Sequence, residues 1–319
     1  MTELTAAGTQ LMLLGGTANR PLAEKIAKEV GQPLCDVTIR RFADGEIFVR
    51  IDENVRGRDL FVIQPTNPPA ENIIELLLLL DAAKRASAAR LTAVVPYFGY
   101  ARQDRKDQPR VSIAAKLMAN LIVAAGADRL ITIDFHQHQL QGFFDIPVDH
   151  LYAAPVFRSH YEQQKLDGLV VVATDVSAAK MARGYAKRLD GELAIVDKRR
   201  SKANVAEVIN VVGEVEGRPC LIPDDMIDTA GTMVNAAAAV RERGATKVLA
   251  LATHALLSGP AIERLAGSEI EEILVSDTIP ISAEKFDALP ALRQVSVASL
   301  LGRAILSTHY NQSVSVLFN

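Results

Sequence analysis

Short apolar runs rich in Val and Ile alternate along the chain with segments of helical periodicity. In the apolar runs nearly every position is hydrophobic, as expected for strands buried on both faces of a parallel sheet. Alternation of such strands with helices predicts a doubly wound α/β fold. The predicted strands span residues 10–14, 60–64, 91–96, 130–134, 169–174, 193–196, 220–223, 247–253 and 272–276. The predicted helices span residues 21–30, 70–86, 112–125, 178–189 and 231–243.

One segment follows a different pattern. Residues 46–51 alternate between apolar and polar, which predicts a hairpin arm at the edge of a sheet. The strand–helix pattern restarts near Leu169, after a less regular segment at 137–149. We therefore expect a boundary near His150, with an N-terminal domain at 1–150 and a C-terminal domain at 151–319.

Composition narrows the classes of partner and compartment. The 319 residues carry a net charge of −3, so no global basic field favours nucleic acid or an anionic membrane. Positive charge is clustered at 102–106 and 198–202, which suits small polyanions. The apolar run at 73–80 is much shorter than the ~20 residues that cross a bilayer. With two cysteines and no signal-peptide pattern, we expect a cytoplasmic protein without nucleic-acid or membrane partners.

The stretch PDDMIDTAGT, residues 223–232, joins a predicted strand end to a predicted helix. Such a turn lies at the carboxyl edge of a sheet, where α/β proteins bind ligands. Small residues let the backbone approach a phosphate at the helix N-terminus, whereas Asp224 and Asp225 suit sugar hydroxyls. An acidic capping turn is the alternative. The combination indicates a sugar phosphate, with its phosphate held by Asp228, Thr229, Ala230, Gly231 and Thr232.

This turn resembles the phosphoribosyl-pyrophosphate motif of type I phosphoribosyltransferases. Four further stretches resemble the ribose-phosphate pyrophosphokinase family: FADGEIFVRIDENVRGRD at 42–59, VPYFGYARQDRK at 95–106, DFHQHQLQGFFDIPVDH at 134–150 and DKRRSKANVAEV at 197–208. The resemblance implies an enzyme that transfers the β,γ-pyrophosphoryl group of ATP to ribose 5-phosphate, giving phosphoribosyl pyrophosphate and AMP. It also implies two phosphoribosyltransferase-type domains, an active site between them, and a homohexamer.

The resemblance assigns two stretches to ATP. Phe42 offers a ring for stacking adenine, and the adjacent turn of Asp44, Gly45 and Glu46 offers hydrogen-bond acceptors. Arg102 and Gln103 supply a guanidinium and an amide for the nucleotide. Taken alone, either stretch would be interpreted as an edge hairpin or as exposed ion pairs.

The resemblance also implies a magnesium ion near His136 and Asp175, each of which follows a predicted strand. Magnesium prefers oxygen ligands, so His136 would act through water or the nucleotide phosphates. His138, which the family does not usually carry, is interpreted as an ordinary polar loop residue.

Catalysis is assigned by resemblance to Lys198 and Arg200, with Arg200 also contacting ribose 5-phosphate. Pyrophosphoryl transfer accumulates negative charge, so cations stabilise its transition state. The polar tract at 199–203 predicts a lid that orders on substrate binding. As a bare charge run it would be a solvated face.

One departure from the family pattern concerns Ser177 and Ala178, which stand where the family normally has two glycines. Side chains there reduce the room for pyrophosphate, although the Ser177 hydroxyl could replace an amide contact. Two alternatives therefore stay open. The chain could be a catalytically weak regulatory subunit, or a phosphoribosyltransferase that consumes phosphoribosyl pyrophosphate.

Overall fold

The computed structural model describes residues 9–164, 166–199 and 208–318, and these pack as two compact units. The first unit contains the described residues up to Tyr152 together with 278–280 and 296–318. The second contains the described residues of 153–277 and 281–295. None of the described helices has the length and hydropathy required to span a membrane.

The first unit is built on a parallel five-stranded sheet with the order β1-β4-β5-β6-β7, beside a separate antiparallel pair, β2-β3. Its strands are β1 Leu11–Gly15, β2 Val37–Arg41, β3 Ile47–Ile51, β4 Asp59–Ile63, β5 Arg90–Val95, β6 Arg129–Ile133 and β7 Val148–Leu151. Its helices are α1 Arg20–Val30, α2 Glu71–Arg85, α3 Ala114–Ala125 and, from the end of the chain, α9 Ala298–His309.

The second unit is built on a seven-stranded sheet with the order β10-β9-β8-β11-β12-β13-β14. All neighbours are parallel except β10 and β9. Its strands are β8 Val170–Ala173, β9 Glu192–Arg199, β10 Val208–Val212, β11 Pro219–Ile227, β12 Lys247–Ala255, β13 Glu272–Ser276 and β14 Leu292–Val295. Its helices are α4 Ala154–Glu162, α5 Ala179–Arg188, α6 Gly231–Glu242, α7 Ala261–Ala266 and α8 Ala283–Ala288.

Local sequence explains why α1 begins and ends where it does. Asn19 caps the helix by accepting a hydrogen bond from the Leu22 amide, and Pro21 follows in the first turn. Gly31 ends the helix with φ 74°, a left-handed conformation that glycine adopts without steric strain. The apolar strands are buried as their patterns predict, and all five residues of β4 are buried.

The C-terminal helix α9 is attached to the first sheet through a buried ionic cluster. Asp59, 1% exposed, pairs with the Arg90 guanidinium, and its Oδ2 lies within hydrogen-bond distance of His309 Nδ1, at 2.6 Å. Arg90 also donates to the carbonyls of Thr308 and His309. A buried carboxylate is stable only when it is paired in this way.

The predicted α/β fold is confirmed, and every predicted strand and helix is present with small shifts at its ends. Two expectations are corrected. Strand β11 continues through Ile227 because it pairs with β12 as far as Ala255, so Asp224 and Asp225 lie in the strand and not in the turn. The hairpin formed by β2 and β3 is a sheet of its own packed on α2, not an edge of the main sheet. The boundary near His150 stays a prediction.

Candidate functional site

The strand order of the second unit creates a topological switch point between β8 and β11. From β8 the chain continues to β9 on one side, and it later returns to β11 on the other side. Ligands of open α/β sheets bind where the carboxyl ends of such strands diverge. Two loops start there: the β8 loop, residues 174–178, and the β11 loop, residues 228–232, which includes the first two residues of α6.

Three consecutive carbonyls lead into the β11 loop, and all three are held by residues 257–264. The Ile227 carbonyl accepts from the Leu257 amide at 2.9 Å, and the Asp228 carbonyl accepts from the Ser258 amide at 2.8 Å. The Thr229 carbonyl accepts from Arg264 Nη1 at 3.0 Å. In a trans peptide the N–H points opposite to the C=O. The amides of residues 228, 229 and 230 therefore face away from residues 257–264, as a concave anion site requires.

The loop then turns sharply into α6. Ala230, the residue before the helix, has φ 62°, a left-handed conformation that is uncommon for a residue with a side chain. Its methyl group is buried, whereas Thr229 and Thr232 are exposed at the start of the helix. A Cβ added to Gly231 would lie 3.3 Å from Arg264 Nη1, so a side chain there would crowd the guanidinium.

Asp224 and Asp225 are half-buried at the end of β11, directly before the loop. One oxygen of Asp224, Oδ1, accepts a hydrogen bond from the Asp225 amide at 2.8 Å. A carboxylate offers about four lone-pair sites and can therefore accept several hydrogen bonds at once, as binding of sugar hydroxyls requires.

The β8 loop contains Asp175 and the two residues that depart from the family pattern. Asp175 Oδ1 accepts from the Ser177 hydroxyl at 2.5 Å and from the Ala178 amide at 3.0 Å. The carboxylate thus caps the turn that leads into α5. The Ser177 hydroxyl is directed at Asp175.

Lys198 lies at the carboxyl end of β9, the neighbour of β8, where its backbone faces Ile209 of β10. The side chain of Lys198 lies outside the described part of the chain, as do Arg200 and the rest of the predicted lid beyond the backbone of Arg199. The backbone therefore brings Lys198, Asp175 and the β11 loop to the ends of three adjacent strands, β9, β8 and β11.

In the first unit, Arg102 and Gln103 lie in the β5 loop, residues 96–113, and both are exposed. The base of this loop is fixed by Thr66, whose hydroxyl accepts from the Gly99 amide at 2.7 Å and donates to the Tyr97 carbonyl at 3.1 Å. A Cβ at Gly99 would lie 2.3 Å from the Thr66 carbonyl oxygen, so only glycine fits.

His136 follows β6, the neighbour of β5, and is partly exposed. The two loops approach each other where Gln139 Nε2 donates to Asp104 Oδ2 at 3.5 Å. Arg102, Gln103 and His136 thus lie in loops that leave the same sheet edge. His138 is exposed, and its ring packs beside His150 and Tyr152.

The β2–β3 hairpin carries the remaining predicted ATP residues at its tip. Phe42 is 43% exposed and meets Phe48 edge-on, with the Arg40 guanidinium 4.8 Å from its ring centroid. Gly45 has φ 96°, and the Glu46 amide donates to Asp44 Oδ1 at 3.1 Å. Asp44 therefore stabilises the turn, while the Phe42 ring keeps surface for a stacking partner.

Among the described residues, no group of three His, Cys, Asp or Glu side chains could hold a metal ion. In nucleotide enzymes, magnesium binds through one or two carboxylates together with substrate phosphates. Asp175 supplies an oxygen donor of the required kind. The residues present thus fit a magnesium ion held largely by a bound nucleotide.

Comparison with known proteins decides the family. Residues 11–126 match the model for the N-terminal domain of ribose phosphate pyrophosphokinase, and residues 199–319 match that for the phosphoribosyl synthetase-associated domain. The ribose-phosphate pyrophosphokinase of Chlorobaculum tepidum is 53% identical over 312 residues, 98% of this chain and 96% of that protein. The chain belongs to the ribose-phosphate pyrophosphokinase family.

Other members agree with this assignment. The ribose-phosphate pyrophosphokinase of Burkholderia pseudomallei is 52% identical over 97% of each chain. The crystal structure of phosphoribosylpyrophosphate synthetase from Mycobacterium smegmatis is 42% identical, with a TM-score of 0.89 over 94% of this chain and 99% of that one. The predicted family, enzyme class and fold are thereby confirmed, and the kinase-type transfer of this family needs a metal.

Two residues with clear contacts to the predicted site were not assigned a role from sequence. Arg264 holds the β11 loop, and Thr66 holds the β5 loop. Both act through backbone atoms more than 30 residues away in sequence, and nothing in local residue type indicates such contacts. Only the pairing of strands brings them together.

Proposed function

We propose that this enzyme converts ribose 5-phosphate and ATP into phosphoribosyl pyrophosphate and AMP. The anomeric hydroxyl oxygen attacks the β-phosphorus of ATP and loses its proton. The bond between the β-phosphorus and the oxygen that bridges to the α-phosphorus breaks, and AMP leaves. The enzyme mainly positions two anions and stabilises the charge that moves between them.

What supports this activity most directly is the switch point of the second unit. The amides of the β11 loop face away from residues 257–264, which suits the 5-phosphate. Asp224 and Asp225, at the strand end before it, suit the 2- and 3-hydroxyls of the ribose. The pyrophosphoryl group would then lie toward the β8 loop and the end of β9, where Lys198 and Arg200 stabilise negative charge.

ATP would be bound by residues of the first unit. Arg102 and Gln103 would contact the nucleotide from the β5 loop, whose base is held by Thr66. Phe42 would stack against adenine, with Asp44, Gly45 and Glu46 shaping the hairpin tip that presents it.

Magnesium is the metal that we propose, with Asp175 as its carboxylate ligand, and the assignment of His136 to this metal stays a prediction. When bound, it neutralises phosphate charge and polarises the transferring group. The protein's own part is to place the Asp175 carboxylate, which accepts a hydrogen bond from the backbone amide of Ala178. The homohexamer and the cytoplasmic location remain predictions.

The decisive experiment measures AMP and phosphoribosyl pyrophosphate after ribose 5-phosphate is added to the purified protein with ATP and magnesium. We expect both products in equal amounts, and neither without the sugar phosphate. A phosphoribosyltransferase would form no AMP and would consume phosphoribosyl pyrophosphate when a base is supplied. A silent regulatory subunit would bind ligands without turnover, and either result would contradict the proposal.

A further inference from the structure

We infer that Arg264 is a positioning residue for ribose 5-phosphate: its guanidinium fixes the peptide between Thr229 and Ala230 so that the Ala230 N–H faces the sugar phosphate. Arg264 lies on α7, outside the strands and loops that carry the proposed site. The inference rests on the proposed role of the β11 loop and adds the residue that controls its conformation.

The first step concerns the direction of one peptide group. Arg264 Nη1 donates to the Thr229 carbonyl at 3.0 Å, so that carbonyl points toward α7. The peptide is planar and trans, which makes the Ala230 N–H point the opposite way. If this peptide rotated, the Thr229 oxygen would replace the N–H and would repel a phosphate.

The second step concerns what else holds this peptide. The two preceding carbonyls are held by backbone amides of residues 257 and 258, which follow from the pairing of β11 with β12. The Thr229 carbonyl lies beyond the residues that pair β11 with β12, and it accepts its hydrogen bond from the Arg264 side chain. The next residue, Ala230, has a left-handed φ of 62°, so the loop needs an external contact to keep its conformation.

The third step concerns charge. A guanidinium is always protonated, and its planar fork can keep one N–H on a carbonyl while the rest of the group remains cationic. Arg264 therefore places positive charge beside a loop proposed to bind a dianion. A Cβ placed on Gly231 would lie 3.3 Å from Arg264 Nη1, so the loop and the guanidinium are packed closely together.

The test compares Arg264→Met, which keeps the side-chain stem without a donor, with Arg264→Lys, which keeps the charge and one donor. Arg293→Met is the matched control, because Arg293 is equally exposed and caps the Pro290 and Leu292 carbonyls at the amino end of β14. Steady-state kinetics with varied ribose 5-phosphate and ATP are combined with calorimetric titration of ribose 5-phosphate and with thermal melts.

For Arg264→Met we expect the KM and Kd for ribose 5-phosphate to rise about tenfold. The Thr229 carbonyl loses its charge-assisted hydrogen bond, so the peptide that presents the Ala230 N–H is no longer fixed. The kcat and the KM for ATP should stay within roughly threefold, since the loop binds the sugar phosphate equally in ground and transition states. Arg264→Lys should recover most of the affinity, and Arg293→Met should match the unmodified enzyme.

Thr232→Val separates this inference from the proposed function. If Thr232→Val weakens ribose 5-phosphate binding while Arg264→Met does not, the role of Arg264 is wrong and the loop assignment stands. If neither weakens it, the loop assignment fails and the inference fails with it. A lower kcat together with equal rises in both KM values would mean that Arg264 has a purely structural role, and the inference would be wrong. Should Arg264→Met not fold, Arg264→Ala is measured in its place, and a normal affinity of Arg264→Ala for ribose 5-phosphate would equally overturn the inference.

Discussion

At the scale of single residues, Ser177 and Ala178 are the clearest departure from the family pattern. The structure directs the Ser177 hydroxyl at Asp175, so it is not in position to replace a glycine amide contact with pyrophosphate. We expect the double variant Ser177→Gly, Ala178→Gly to keep its activity or to gain up to about tenfold in kcat/KM for ATP. Steady-state kinetics check this, with Ala178→Gly as the control that keeps the hydroxyl.

If the double variant folds but loses activity, the hydroxyl of Ser177 has an active role. The contact with Asp175 would then be part of the site and not a local cap.

Asp224 and Asp225 permit a second prediction at this scale. Each is half-buried at the end of β11, and alanine at either position removes acceptors for sugar hydroxyls. The KM for ribose 5-phosphate should rise roughly ten- to a hundredfold, because a hydrogen bond to a charged group is lost. Asp287→Ala, an exposed carboxylate on α8, is the control. An unchanged KM for ribose 5-phosphate in both variants would mean that the ribose does not bind at this strand end.

At the scale of elements, β9 and β10 form the antiparallel end of the second sheet, and Lys198 lies in their last pairs. Its position at the carboxyl end of β9 places its backbone beside the end of β8, two residues before Asp175. We expect Lys198→Ala to lower kcat at least about a hundredfold, with smaller changes in both KM values, because its charge acts mainly in the transition state. Pre-steady-state and steady-state kinetics measure this.

Lys187→Ala, at the exposed C-terminal end of α5, controls for general loss of positive charge. Arg200→Ala should act in the same direction and also weaken phosphate binding. A near-normal kcat in Lys198→Ala would mean that the cluster at 198–202 is a solvated basic face.

The elements also show what the sequence could and could not predict. Predominantly apolar runs such as β4 and β12 are predicted correctly, because strands buried on both faces require apolar residues at most positions. The end of β11 was not, because Asp224 and Asp225 look like turn residues and only pairing with β12 keeps them in the strand. Short elements such as β7, β14 and α7 lack a periodic signal of sufficient length. The contact of Arg264 with Thr229 depends on tertiary structure alone.

At the scale of the whole molecule, the C-terminal helix belongs to the same compact unit as the N-terminal strands. Helix α9 comes from the end of the sequence but packs on α1 in the first unit, where His309 meets Asp59. This contact joins residues 250 positions apart, so the local sequence pattern around either residue cannot predict it. The first unit therefore completes its core only when the last helix of the chain is present.

The two cysteines provide a probe of both units. Cys35 belongs to the first unit and Cys220 to the second, and both are buried. Burial raises the pKa of each thiol from 9.0 to about 11. At pH 7 only about one thiol in 10⁴ would be ionised, and the reagent must also reach it through the core. We therefore expect neither cysteine to react with a disulfide reagent in the native enzyme within minutes, and both to react once it unfolds.

Single variants Cys35→Ala and Cys220→Ala leave one thiol each, so labelling in increasing denaturant reports the opening of each unit separately. The pH dependence has a defined sign. Because the folded pKa of each thiol is raised, the stability that it contributes is complete below pH 9 and is lost as the pH rises toward 11. If the remaining thiol of either variant is labelled rapidly at pH 7 without denaturant, the unit that contains this thiol opens far more readily than its buried core implies.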